Sequence, residues 1–143
     1  MKVSREKQNF SAFFVQEAQN VRDKVIATLR LAGEKSINDA RLQGSYTDRT
    51  GNLRSSTGYV ILEDGNVIFE SGFSSVSSTA HEGPDSGRIL ANDVGKDYPE
   101  GLVLIIVAGM SYAEYVQDKG YNVLVSAERI AESTISKLLK QIQ

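Results

Sequence analysis

The sequence has no cysteine, no tryptophan, a single histidine and only two prolines in 143 residues. Without thiols, disulfides, thiol nucleophiles, Cys-ligated zinc and iron-sulfur centres are excluded. The lone His81 rules out a multi-histidine metal cage and confines any Ser-His-Asp arrangement to its own neighbourhood. Long hydrophobic runs are also missing. The longest, Leu102 to Met110, has nine residues, whereas about 20 are needed to cross a bilayer. Gln16, Glu17 and Gln19 interrupt the apolar residues near the start, so neither a membrane span nor a cleaved signal is expected. A net charge of −2 gives no global reason to bind nucleic acid.

What is present describes one domain over residues 1–143. Apolar residues at 41% and charged residues at 24% are near globular averages. A chain of this length buries roughly two thirds of the surface its unfolded form exposes, enough for one core without staples. Charge is unevenly spread: residues 1–54 hold ten basic and six acidic side chains, and residues 55–119 three basic and ten acidic. The asymmetry is satisfied either within the monomer or by a basic face of one protomer meeting an acidic face of the next.

Hydrophobic spacing sets out the elements. Phe10, Phe14, Ala18, Val21, Val25, Leu29 and Ala32 follow a helical period and predict a long amphipathic helix with one buried stripe. Gly33 is expected to break or bend it before Ile37, Ala40 and Leu42, and Gly44 to end it. Tyr59-Val60-Ile61-Leu62 and Val67-Ile68-Phe69 flank Asp64-Gly65, a hairpin signal. Leu102 to Val107 lacks alternation and is expected to be the central strand, with both faces covered. Ser111-Tyr112-Ala113-Glu114 fits a capping box for a short helix stopped by Gly120, with Tyr112, Tyr115 and Val116 on one face. Tyr121 to Val125 is expected to be an edge strand. Ala127, Ala131, Ile135, Leu138 and Ile142 mark a C-terminal helix. Residues 71–99 lose periodicity and are expected to form a long irregular loop that orders on assembly. The fold class is α+β: the two long helices pack on a small, mainly antiparallel sheet containing the hairpin.

Candidate chemistry is sparse. His81, Glu82, Asp85, Asp93 and Asp97 concentrate ligand-type side chains, but their spacing fits neither an EF-hand nor a facial triad, and a solvated loop is the simpler reading. Thr50-Gly51-Asn52-Leu53-Arg54-Ser55-Ser56 lacks the second glycine and lysine of a phosphate loop. It is expected to be a short helix capped by Thr50, with Leu53 buried and Arg54 exposed. Six tyrosines, at 46, 59, 98, 112, 115 and 121, suit either core or interface. Basic residues in the first helix are not interleaved with stacking aromatics, so a nucleic-acid platform is not expected.

The order of these signals resembles a known family. A long N-terminal helix, Tyr46-Thr47-Asp48-Arg49-Thr50-Gly51-Asn52-Leu53-Arg54-Ser55-Ser56, a hairpin, Gly109-Met110-Ser111-Tyr112-Ala113-Glu114-Tyr115-Val116-Gln117-Asp118-Lys119-Gly120 and a terminal helix are similar to the small tail-component proteins of long-tailed bacteriophages. The resemblance covers most of the chain except residues 71–99. It implies a virion structural protein of tail completion or head-tail joining, assembled in the bacterial cytoplasm, with no catalytic activity and no cofactor or metal. Its partners would be copies of itself in a ring, hexameric by expectation, and neighbouring neck and tail proteins. No membrane or sequence-specific nucleic acid is implied, although DNA would pass through the ring. Thr50, Gly51, Asn52, Leu53, Arg54, Tyr112, Ala113, Tyr115, Val116 and Gly120 would be fold and interface determinants. Gln117 departs from the pattern, since relatives often have an acidic residue there, which leaves no ion pair at that position to rely on. Two other classes stay open: a non-viral cytoplasmic binding module, and a small enzyme centred on His81.

Overall fold

Asp64 and Gly65 both adopt left-handed backbone conformations, with φ of 51° and 83°. That is the geometry a two-residue hairpin needs to match strand twist. The computed structural model describes residues 2–43, 48, 51–76, 81–110, 113, 117, 120 and 122–142, with side chains from residue 12 onward except Gln43. The elements are α1 (Lys2–Gln43), α2 (Asn52–Ser55), β1 (Thr57–Glu63), β2 (Asn66–Gly72), α3 (Gly83–Gly95), β3 (Leu102–Ala108) and α4 (Val125–Ile142). The class is α+β, as the sequence implies.

The sheet order is β2-β1-β3, antiparallel throughout, with Gly58 opposite Gly72 on one side and Val107 on the other. β1 is therefore central and β3 is an edge, a correction to the sequence reading. The missing alternation in β3 reports that both its faces are apolar, although Leu104 and Ile106 on one of them are only half-buried, and this is independent of whether both its edges are paired. Tyr59 and Ile61 share a cluster with Leu29 and Ile37 of α1, joined by Leu104, Ile106 and Ile135. Val60, Leu62, Ile105 and Val107 face the other way, onto Phe73 and Ala91. Helices α1 and α4 thus cover one side of the sheet and α3 the other.

The expected loop at 71–99 is a second correction, because β2 runs to Gly72 and Gly83–Gly95 is helical. Gly83, Gly87, Ala91 and Gly95 recur every four residues and are all buried, so they form one small-residue face. These glycines serve close packing. A Cβ on Gly87 would stand 2.4 Å from both the Ser56 carbonyl oxygen and a Phe73 ring carbon. Pro84 sits in the first turn, where no intrahelical N–H is required.

Three further expectations change. α1 continues unbroken through Gly33, because the flanking turns are packed and the glycine is occupied by the Tyr59 ring. Residues 122–124 form no strand. Asn122 Oδ1 instead accepts from the Ser126 amide at 3.3 Å and caps α4, which starts at Val125. The apolar stripe of α1 is only partly buried: Leu29 and Ala32 lie in the core, whereas Phe14, Ala18 and Val21 are exposed. The expected stop at Gly44 lies outside the described residues.

Candidate assembly surface and motif hub

The first motif is built from the backbone outward. Gly51 takes a left-handed conformation at φ 79° and precedes the single turn of α2. At the start of α2 the Asp48 carboxylate accepts from the Arg54 amide at 2.8 Å and the Leu53 amide at 3.4 Å. Thr50 itself lies outside the described residues, as does Tyr46. A carboxylate at this helix start satisfies amides that the turn leaves unpaired.

Each residue that follows ties α2 to a different element. Asn52 Oδ1 accepts from the amides of Glu82 at 3.2 Å and Gly83 at 3.0 Å, which caps α3. Leu53 is 1% exposed and clusters with Ala108, Ala113 and Val123. Arg54 was expected to be exposed but is half-buried, because its Nε donates to the Arg41 carbonyl at the end of α1 at 3.0 Å. Ser55 Oγ accepts from the Val76 amide at 2.9 Å. Ser56 Oγ donates to the Leu53 carbonyl at 2.6 Å and accepts from Gly109 just beyond β3 at 3.0 Å. The segment is a hub where α1, α3, β1 and the end of β3 are joined.

The second motif meets the first at two described places: the Gly109 amide donates to Ser56, and Ala113 is buried in the same cluster as Leu53. Gly120 is left-handed at φ 92°, and its amide donates to the Gln117 carbonyl at 3.0 Å, as expected of a helical stop. Gln117 Oε1 accepts from the Leu124 amide at 3.1 Å, a role that a carboxylate oxygen also fills. Tyr112, Tyr115 and Val116, with the expected capping box, lie outside the described residues.

The acidic residues near His81 do not converge. His81 and Glu82 are exposed at the start of α3, Asp85 pairs with Arg88 at 3.6 Å, and Asp93 pairs with Lys96 at 3.6 Å. Among the described residues no three His, Asp or Glu side chains are grouped to hold a metal ion, and no helix is long and apolar enough to cross a membrane.

Among the described residues, two apolar surfaces are left uncovered. The first is the N-terminal half of α1, where residues 12–21 are all exposed, Phe14 at 65% and Phe13 at 57%. Phe13 and Phe14 pack edge-on with centroids 5.8 Å apart, so they form one patch. The second is a groove of about 310 Å³ between β3 and α4, lined by Leu104, Ile106, Leu124, Val125, Ala131 and Ile135 and rimmed by Glu128 and Glu132. The sequence reading places Phe14, Ala18 and Val21 on a buried stripe and Leu104, Ile106, Ala131 and Ile135 in core-facing elements, because periodicity marks which side is apolar and not how completely it is covered. It also missed the capping role of Asn52, although the four-residue spacing of Gly83, Gly87, Ala91 and Gly95 was a readable sign of the helix being capped. No family model, curated protein or solved structure matches the chain.

Proposed function

We propose that the chain is a structural subunit of the neck or tail of a long-tailed bacteriophage, acting in tail completion or head-tail joining as a hexameric ring. The observation that carries this reading is the apolar stripe of α1, which continues outward from the core through Val21, Ala18 and Phe14, all of them exposed. Exposed apolar patches of this kind mark protein contacts. The two motifs of the family resemblance add support, because Leu53 and Ala113 meet in one buried cluster and make a rigid body to which such a stripe is anchored. The uneven charge of residues 1–54 and 55–119 suits a contact between unlike faces of identical subunits. The subunit assembles in the host cytoplasm, resides in the virion beside other neck and tail proteins, and leaves an axial opening for DNA. It works by shape, without a cofactor.

Light scattering on the purified protein followed by electron microscopy tests this reading. Closed rings with an axial opening, and the same chain in purified particles, are expected. A protein that stays monomeric at all concentrations and is absent from particles overturns it.

A further inference from the structure

The uncovered stripe and the open groove are two halves of a contact that one chain cannot make with itself. α4 runs back along α1, from Ser126, which donates to Asp39, to Ile135, which packs on the cluster containing Leu29. Seven residues later, about 10 Å at helical rise, α4 has ended at Ile142, level with about residue 22 of α1. Phe14 therefore stands beyond the end of α4. Because α1 is one unbroken helix to Gln43, its first half cannot fold back to reach the groove between β3 and α4 of its own chain.

We propose that the Phe13–Val21 stretch of α1 in one copy seats in the β3/α4 groove of the next. This rests on the ring-forming reading above and names its interface. Charge around the stretch favours the pairing: Glu128 and Glu132 rim the groove and make no ion pair among the described residues, whereas residues 1–24 carry Lys2, Arg5, Lys7, Arg22 and Lys24 against Glu6, Glu17 and Asp23. Size favours it too. Phe13 and Phe14, at 57% and 65% exposure, present roughly 240 Å² if each ring residue offers about 200 Å². With Ala18 and Val21 alongside, the arm supplies about half of the roughly 800 Å² that each partner gives to a stable interface, and about that fraction of an interface is apolar. The two surfaces differ, so the contact is head-to-tail and propagates until it closes.

The absence of native cysteine gives a direct test. Phe14→Cys and Val125→Cys each place one thiol at a partly exposed position, one on the arm and one in the groove. Oxidation of a mixture of the two single variants is expected to give cross-linked heterodimers, and a chain carrying both substitutions a covalent ladder that ends at the ring. Separately, Phe14→Glu is expected to give a monomer by light scattering with unchanged circular dichroism. Phe14→Cys that cross-links to itself as readily as to Val125→Cys indicates an arm-to-arm contact and overturns the proposal. Rings that persist in Phe14→Glu, without the mixed cross-link, overturn this interface and leave the ring reading standing. A wild-type monomer with no cross-link overturns both. Wild-type binding to phosphatidylglycerol vesicles that Phe14→Glu abolishes, again without the cross-link, assigns the arm to a lipid surface and overturns the proposal.

Discussion

The ring of Tyr59 lies against the backbone of Gly33, where an added Cβ would meet three ring carbons at 2.7–2.8 Å. Tyr59 is fully buried on the central strand and its hydroxyl donates to Glu34 at 2.9 Å, so the ring has no room to withdraw. In an exposed helix, Gly→Ala gains about 1 kcal/mol. Here overpacking, at roughly 1–3 kcal/mol, opposes and exceeds that gain. Gly33→Ala is therefore expected to lower stability by about 1 kcal/mol. Urea unfolding checks the sign, and a stabilised variant contradicts the packing account.

Asn52 caps a helix that lies thirty residues further along the chain. Its Oδ1 is the acceptor for the amides of Glu82 and Gly83, and Asn52→Ala leaves both without it. The expected cost is about 1 kcal/mol. Asn52→Asp keeps an acceptor and adds a charge that the start of α3 favours, so it should retain most of the stability. Hydrogen exchange localises the effect: the Glu82 and Gly83 amides should exchange faster in Asn52→Ala and near wild-type rates in Asn52→Asp.

These two contacts indicate what the sequence could and could not convey. Asp64-Gly65 between β-branched runs specifies a hairpin locally, and the hairpin is found. The periods of α1 and α4 are likewise local and legible. Gly33, Gly83 and Gly87 are ambiguous, because a glycine that ends an element and one that admits a neighbouring ring or carbonyl are the same letter. Only tertiary approach distinguishes them, and in α3 the small-residue face takes the place of the apolar periodicity whose loss makes residues 71–99 read as a loop. The order of strands is also non-local, since Gly58 of β1 pairs with Val107 of β3, 49 residues away, only once α3 has carried the chain across the sheet. The hub residues Gly51 to Arg54 were legible as a motif, but their partners were not.

Gly87 is the most crowded point of that approach. Its Cα would lie 2.4 Å from a Cβ built on Gly109, and its own added Cβ would strike the Ser56 carbonyl and the Phe73 ring. The Ser56 carbonyl and the Phe73 ring would both have to move away from α3. Gly87→Ala is expected to cost about 3 kcal/mol, the upper part of the overpacking range, and to reduce soluble yield. Ile89→Ala, two residues away on the exposed face of α3, serves as the control and should change stability by less than about 0.5 kcal/mol. Equal effects of the two substitutions in urea titrations would contradict the close packing of α3.

Acid sensitivity should follow Glu63, at the end of β1. The Arg22 guanidinium donates two hydrogen bonds to its carboxylate, at 2.5 and 2.7 Å. That bonding, opposed by desolvation and reinforced by the opposite charge, holds the Glu63 carboxyl below its ordinary value and raises that of Arg22. A depressed carboxyl stabilises the fold above its unfolded value, about 4.3, and loses that contribution as pH falls through the lower folded value. At the other extreme, burial, followed by the Glu34 hydrogen bond and charge, pushes the Tyr59 hydroxyl above its ordinary range. A raised value of this kind stabilises below pH ~10 and is lost as pH rises toward the folded value. Melting temperatures measured from pH 3 to 11 should therefore fall at both ends. Glu63→Gln should flatten the acid limb alone and Tyr59→Phe the alkaline limb alone. Added salt should weaken the Arg22–Glu63 contribution, because both side chains are partly exposed, while leaving the buried Tyr59 limb in place.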